Sequence, residues 1–210
     1  RSYSVTGVQT CALPILPQEK KTNPMRVVSG CAKGITLASV PGKSTRPITD
    51  RVKEALFNIL SNRVMDTTWL DLFGGTGAVG IEALSRDAES VVFIEINFQA
   101  YKTILQNLKT TDLADYATVR KMDAFTYLNG TPDQAFDVIY NAPPQYQGIW
   151  LKAMQTLDEN PGWLAESGWI ITQIHPKEYQ ENLTYTNFEE FDQRKYGDTL
   201  LVFYRRRSVE

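Results

Sequence analysis

Between Trp69 and Leu84 the chain reads WLDLFGGTGAVGIEAL, and this stretch limits the possible fold more than any other. A short apolar run (Trp69, Leu70, Leu72, Phe73) meets three spaced glycines, Gly75, Gly77 and Gly80. Ala78, Val79, Ile81, Ala83 and Leu84 then follow at helical spacing. The pattern predicts a strand, a tight turn and a helix. Glycine suits the turn because a side chain would keep the backbone away from a ligand and because the turn calls for positive φ. The free N–H groups at the helix start open on the same spot, so main chain there can hold a nucleotide-like ligand.

A Gly-x-Gly-x-x-Gly taken alone is a weak signal, since glycines also make plain turns. The residues downstream strengthen it. Val91, Val92, Phe93 and Ile94 form a second apolar run ending at Glu95, eighteen residues after Gly77. In dinucleotide-binding patterns an acid near that distance accepts hydrogen bonds from ribose hydroxyls. A third run ends at Met122-Asp123-Ala124, and a fourth, Phe136 to Tyr140, ends at Asn141-Ala142-Pro143-Pro144. Four strand candidates therefore finish on Asp71, Glu95, Asp123 and Asn141. Open α/β sheets bind ligands outside the carboxyl ends of their strands, so these four are expected in one crevice.

At 210 residues the chain is expected to be one domain, or one domain with an extension, long enough to bury a substantial core. No apolar run reaches the roughly 18 residues of a membrane span. The two cysteines, Cys11 and Cys31, give neither a disulfide framework nor a metal cluster, and they fit a reducing cytoplasm. A lone histidine, His175, argues against His-based metal sites and triads; it is expected to be structural. The net charge of -2 argues against general coating of nucleic acid but allows a local basic face.

The first fifteen residues lack periodicity and acids, resemble translated sequencing-adapter sequence, and are expected to be an artefact. Residues 16–24 are polar and read as a disordered lead-in, which makes 1–24 a leader and Met25 the expected natural start. From Met25, two strand-like pieces, Arg26 to Gly30 and Ala32 to Leu37, suggest a small hairpin. Thr49 or Asp50 is expected to cap a helix through Val52, Ala55, Leu56, Ile59 and Leu60. From Met25 to Lys53 there are six basic residues (Arg26, Lys33, Lys43, Arg46, Arg51, Lys53) and one acid, Asp50. Ahead of a nucleotide-type crevice, such an arm reads as a phosphate contact. Helices are expected over Phe98–Leu108 and Gln147–Leu157, and strands over Val119–Met122, Trp169–Ile174, Tyr185–Phe191 and Leu200–Tyr204. The last two strands turn at Tyr196-Gly197-Asp198, an antiparallel hairpin at the sheet edge.

Laid out this way, the chain resembles the Class I S-adenosylmethionine-dependent methyltransferases, and among them the bacterial family that methylates the exocyclic N2 of a guanine in small-subunit ribosomal RNA. The resemblance runs from about Met25 to Tyr204. It is carried by TRPITDRVKEALFNIL (Thr45–Leu60) and DLFGGTGAVGIEALSR (Asp71–Arg86) in that order and spacing. It implies an α/β Rossmann-like fold: a seven-stranded, mostly parallel sheet with an antiparallel last strand and helices on both faces. A basic arm and helix would occupy 25–66 and the methyltransferase domain 67–207. Carried over by position, Asp71 and the Gly75/Gly77 turn would hold the methionine part of S-adenosylmethionine. Glu95 would take the ribose hydroxyls, Asp123 would meet the adenine amino group and Ala124 would supply a main-chain contact, with Phe73, Ile96 and Asn141 also among the cofactor-binding residues. Arg26, Lys33, Lys43, Arg46 and Arg51 would contact RNA, with ribosomal RNA or the small subunit as partner, no metal, no membrane, a cytoplasmic location and a monomeric state.

One departure lies in the catalytic motif. Amino-methylating relatives carry Asp or Asn, then Pro-Pro, then an aromatic residue; here the tetrad is Ala142-Pro143-Pro144-Gln145, flanked by Asn141 and Tyr146. An exocyclic amine is a poor nucleophile because its lone pair is delocalised into the ring. Acceptors that bind its N–H groups localise the pair and aim it, and an aromatic ring stacks on the flipped base. Ala142 has no side-chain acceptor. The main-chain carbonyls of Ala142 and Pro143 remain, and Asn141, Gln145 and Tyr146 sit close enough to substitute; the expectation is that Gln145 supplies the missing amide acceptor and that Tyr146 supplies the ring. The alternatives are a catalytically lapsed RNA-binding or assembly relative, a methyltransferase for another substrate, and a nicotinamide-dependent oxidoreductase. The last is disfavoured by the acid before the glycines and by Pro-Pro after the fourth strand.

Overall fold

The computed structural model describes residues 25–41 and 48–208. The expected leader, and Lys43 and Arg46 of the basic arm, lie outside the described residues. Seven strands form one sheet: β1 (Thr68–Asp71), β2 (Ser90–Ile94), β3 (Ala117–Arg120), β4 (Phe136–Asn141), β5 (Leu164–Ile174), β6 (Phe188–Tyr196) and β7 (Thr199–Arg206). Their order is β3-β2-β1-β4-β5-β7-β6. Strands β1 to β5 pair in parallel, and β7 runs antiparallel between β5 and β6. The chain leaves β1 toward β2 and β3 and then returns to β4 on the other side of β1. The carboxyl ends of β1 and β4 therefore flank the topological switch point where such sheets bind ligands.

Alternation along the strands divides the core in two. Trp69, Val91, Phe93, Val138, Tyr140, Ile171, Leu201 and Phe203 face α1 (Asp50–Leu60), α2 (Ala78–Ser85) and α3 (Phe98–Thr111). Leu70, Val92, Ile94, Ile139, Ile170, Val202 and Tyr204 face α4 (Ala124–Leu128) and α5 (Ile149–Glu159). Burial of both faces explains why the central strands read as continuous apolar runs.

Local chemistry sets the helix starts. Thr49 Oγ1 accepts from the N–H of Val52, and Asn97 Oδ1 from those of Gln99 and Ala100. The short α4 was not anticipated from the sequence. Asp123 caps it, Oδ1 accepting from the N–H of Thr126 at 2.9 Å. Strand β3 starts two residues ahead of the expected Val119, and β6 runs on to Tyr196, beyond the expected Phe191.

The N-terminal arm joins the same core: Met25, Val27, Ala32 and Leu37 are buried in the α1–α2–α3 layer. Its hairpin is reduced to a single antiparallel bridge, Arg26 to Thr36. Main-chain contacts from Cys31 N–H to Ser85 O and from Ala32 N–H to Ser85 Oγ dock its tip on the end of α2. Lys53 departs from the phosphate-contact reading. It is fully buried, its Nζ 3.1 Å from Glu82 Oε2 and donating to the carbonyl of Arg26. Glu82 in turn accepts from the N–H groups of Val28 and Ser29 and from Arg86 Nε. Lys53 thus holds the arm to α1 and α2 and is spent on folding.

Candidate active site

The turn between β1 and α2 follows from its glycines. Gly77 caps α2 at φ 78°, a left-handed conformation that L side chains adopt at a cost. Gly80 lies against Phe93 on β2; a Cβ there would come within 2.4 Å of the ring, so glycine lets the helix approach the strand. Gly74 N–H donates to the carbonyl of Ile94, fixing the loop to the end of β2.

Asp71 ends β1 in register with Phe93 of β2 and Tyr140 of β4. Its carboxyl is 2% exposed, and Oδ1 has no hydrogen-bond partner among the described residues. Burial first, and the charge of Glu95 second, push its pKa up to about 7, while main-chain groups of Phe73 and Gly80 pull it back. Tyr140, fully buried and next in line on β4, donates its hydroxyl to Gln173 Oε1 at 2.6 Å. A buried carboxylate oxygen without a donor is costly until a proton, a hydrogen-bond donor or a cation completes it.

Glu95 follows β2 and reaches back to the loop: Oε2 accepts from the N–H of Gly75 at 2.8 Å and Oε1 from that of Asn97 at 2.7 Å. A carboxylate offers about four lone-pair positions, so two remain for hydroxyl donors. Beside it Ile96 is 65% exposed, an apolar surface next to Glu95. Ala124 is buried at the start of α4, and Asp123 Oδ2 makes no hydrogen bond among the described residues. Phe73 is half-buried against the α4–α5 layer. The fold thus brings Asp71, Phe73, Gly75, Gly77, Glu95, Ile96, Asp123 and Ala124 to one edge of the sheet.

Asn141 ends β4 beside them, but its side chain is turned into the core. It is fully buried, and Nδ2 donates to the Trp150 carbonyl and Thr172 Oγ1, both at 3.3 Å. It ties β4 to α5 and β5, while its Oδ1 has no partner among the described residues. Ala142 packs against the core, Pro143 is buried, and Pro144 is exposed. Gln145 is half-buried without a hydrogen bond among the described residues, and Tyr146 is 65% exposed.

The sequence reading missed Glu178. Its Oε1 accepts from the N–H of Tyr146 at 2.7 Å, and its Oε2 from that of His175 at 3.3 Å. The Tyr146 ring lies 5.3 Å from the His175 ring. A Glu three residues after a residue that starts a turn is the available signal, although His in the capping position disguises it.

Of the expected RNA-contact residues within the described chain, Lys33 and Arg51 are exposed and in no salt bridge among the described residues, whereas Arg26 lies 3.3 Å from Asp50. No group of three or more His, Cys, Asp or Glu suited to a metal occurs among the described residues. No helix among them is long and apolar enough to cross a membrane.

The family described as Conserved hypothetical protein 95 matches residues 25–205. YlbH of Bacillus subtilis (strain 168), named as a candidate rRNA methyltransferase, is 38% identical over 186 residues, covering 88% of this chain and 100% of its own. Ribosomal RNA small subunit methyltransferase D of Escherichia coli (strain K12) is 33% identical over 159 residues, 75% of this chain and 78% of that protein. Among solved structures, yhhF from Escherichia coli, described as a candidate methyltransferase, superposes with a TM-score of 0.76 at 30% identity, over 89% of this chain and 100% of that one.

Proposed function

The chain belongs to the family described as Conserved hypothetical protein 95, and on that footing we propose that it transfers a methyl group from S-adenosylmethionine to small-subunit ribosomal RNA, the acceptor being the exocyclic N2 amine of a guanine. Asp71 is the observation that carries the reading. A buried carboxylate oxygen without a donor, beside a glycine turn at the switch point, fits the α-ammonium group of the cofactor. Glu95 offers acceptors for two ribose hydroxyls, Asp123 Oδ2 one for the adenine amine, and Ile96 an apolar surface for its ring. We assign this machinery to a methyltransferase domain, 67–207, with 25–66 as the basic arm.

S-adenosylmethionine, when bound, supplies an electrophilic methyl group on its sulfonium. The residues of this chain position the acceptor. Pro143 and Pro144 fix their φ angles, which sets the direction of the carbonyls of Ala142 and Pro143. One of those carbonyls and the Gln145 amide oxygen hold the two N2 hydrogens, and the exposed Tyr146 ring stacks on the extruded base. Asn141 acts from behind, locking the end of β4 on which the loop is built. We place the enzyme in the cytoplasm, as a monomer, with the small subunit or its RNA as partner.

A second reading, a relative that binds RNA without turnover, rests on Ala142, where the side-chain acceptor is missing. Methyl transfer separates the two. Label from methyl-labelled S-adenosylmethionine is expected in small-subunit RNA lacking the modification, and is expected to be lost with Asp71→Asn. Cofactor binding with no transfer to RNA would favour the second reading, and binding of NAD in place of S-adenosylmethionine would refute both.

A further inference from the structure

We propose that Glu178 is a positioning residue for the substrate base: it holds the loop after β4 so that the Tyr146 ring stands ready to stack. The inference rests on the methyl-transfer reading above and adds to it a residue from a different part of the chain. Tyr146 has φ 63°, in the left-handed region that disfavours a side chain, and its ring is 65% exposed. An exposed aromatic side chain on a strained backbone keeps one orientation only where its surroundings dictate it. Two contacts do so. Glu178 Oε1 accepts from the Tyr146 N–H at 2.7 Å, and the His175 ring lies against the Tyr146 ring at 5.3 Å and 41°.

Both contacts come from the segment that follows β5. His175 follows that strand directly and opens the short turn Pro176–Glu178, where its Nδ1 accepts from the N–H of Lys177 at 3.1 Å. With Nδ1 accepting, the ring proton of neutral His175 sits on Nε2, which lies 4.0 Å from Asp198 Oδ1 in the turn between β6 and β7. Glu178 divides its two oxygens. Oε2 closes its own turn on the N–H of His175, while Oε1 leaves the segment to hold Tyr146. A carboxylate that served only to cap the turn would not need the second bond. The charge makes both hydrogen bonds stronger than those of a neutral acceptor.

The test is a double-mutant cycle between Glu178 and Tyr146, read by steady-state methylation of small-subunit RNA and by amide hydrogen exchange. Glu178→Ala is expected to lower kcat/KM for RNA about 10- to 50-fold, the scale of a misplaced positioning group, with KM for S-adenosylmethionine unchanged. In a Tyr146→Ala background the same change is expected to cost less than about 2-fold, because the two residues act as one unit. Glu178→Asp retains the charge but is one methylene shorter; it is expected to keep the turn and still speed exchange of the Tyr146 amide. Equal losses with and without the Tyr146 ring, or wild-type kcat/KM in an enzyme whose Tyr146 amide exchanges freely, would overturn the positioning role while leaving the methyl-transfer reading in place. A wild-type enzyme that methylates no RNA overturns both.

Discussion

Asp71, proposed to meet the ammonium group of the cofactor, is buried at a cost to the protein without it. Its folded pKa, raised from 3.8 to about 7, means that the native state holds a proton more tightly than the unfolded chain between those values. Stability from this group is therefore complete below pH 3.8 and is lost as pH rises through 7. Asp71→Asn removes the penalty, which for a shift of that size is at most about 4 kcal/mol. The variant is expected to melt higher than wild type at pH 8, by a margin that shrinks toward pH 5, while losing most of its affinity for S-adenosylmethionine. Calorimetry of both proteins across that range checks the two effects together. In the wild type, cofactor affinity is expected to weaken below pH 7, where the carboxyl becomes neutral before it can meet an ammonium. Gln145 belongs to the same scale. Gln145→Ala is expected to lower kcat about 10- to 100-fold with cofactor affinity intact, the loss of one placed hydrogen-bonding group. Undiminished turnover would remove Gln145 from the mechanism and leave acceptance of the N2 hydrogens to the main chain.

Helix α1 shows what periodicity reveals and what residue type hides. Val52, Leu56, Phe57 and Leu60 are its buried face, and Lys53 falls inside that stripe. Counted by charge, Lys53 joins a basic arm; counted by spacing, it is a core position, and the fold follows spacing by burying Glu82 opposite it. Breaking this pair from one side leaves Glu82 buried with only Arg86 and the N–H groups of Val28 and Ser29 to hold it. Lys53→Met is accordingly expected to destabilise in urea unfolding, by less than the about 3–5 kcal/mol of a buried charge left with no partner. The strand–turn–helix at Asp71–Ser85 was legible because glycine and apolar spacing are local properties. Helix α4 was not, because five residues hold too little periodicity, and the buried amide of Asn141 was not, because only the packing of α5 and β5 explains its orientation. Asn107 on α3 is a similar case. Its Oδ1 accepts from Ala38 N–H while its Nδ2 donates to the carbonyls of Ala38 and Thr76, joining the arm to the glycine turn across 69 and 31 residues of sequence.

Across the described residues, an antiparallel hairpin closes one side of a parallel sheet, the arm and three helices cover one face, and the carboxyl ends of β1 and β4 flank the topological switch point. That layout could be anticipated from four strand candidates ending on polar residues and from the final hairpin. The partner side was less legible, because surface charge does not distinguish a phosphate contact from an ion pair such as Arg26 with Asp50. Replacing Lys33 and Arg51 with Ala is expected to lower RNA affinity and to reduce the slope of log K against log salt by about 1 to 2, as each phosphate contact releases counterions. Arg26→Ala is expected to change it less. Unchanged affinity and slope in the double variant would move the RNA surface elsewhere.

The central claim is tested most directly by digesting the RNA after reaction and identifying the methylated nucleoside by mass spectrometry. Small subunits lacking the modification, treated with the enzyme and S-adenosylmethionine, are predicted to yield N2-methylguanosine at one site. A methyl group on any other nucleoside, or none with the cofactor bound, would contradict the account.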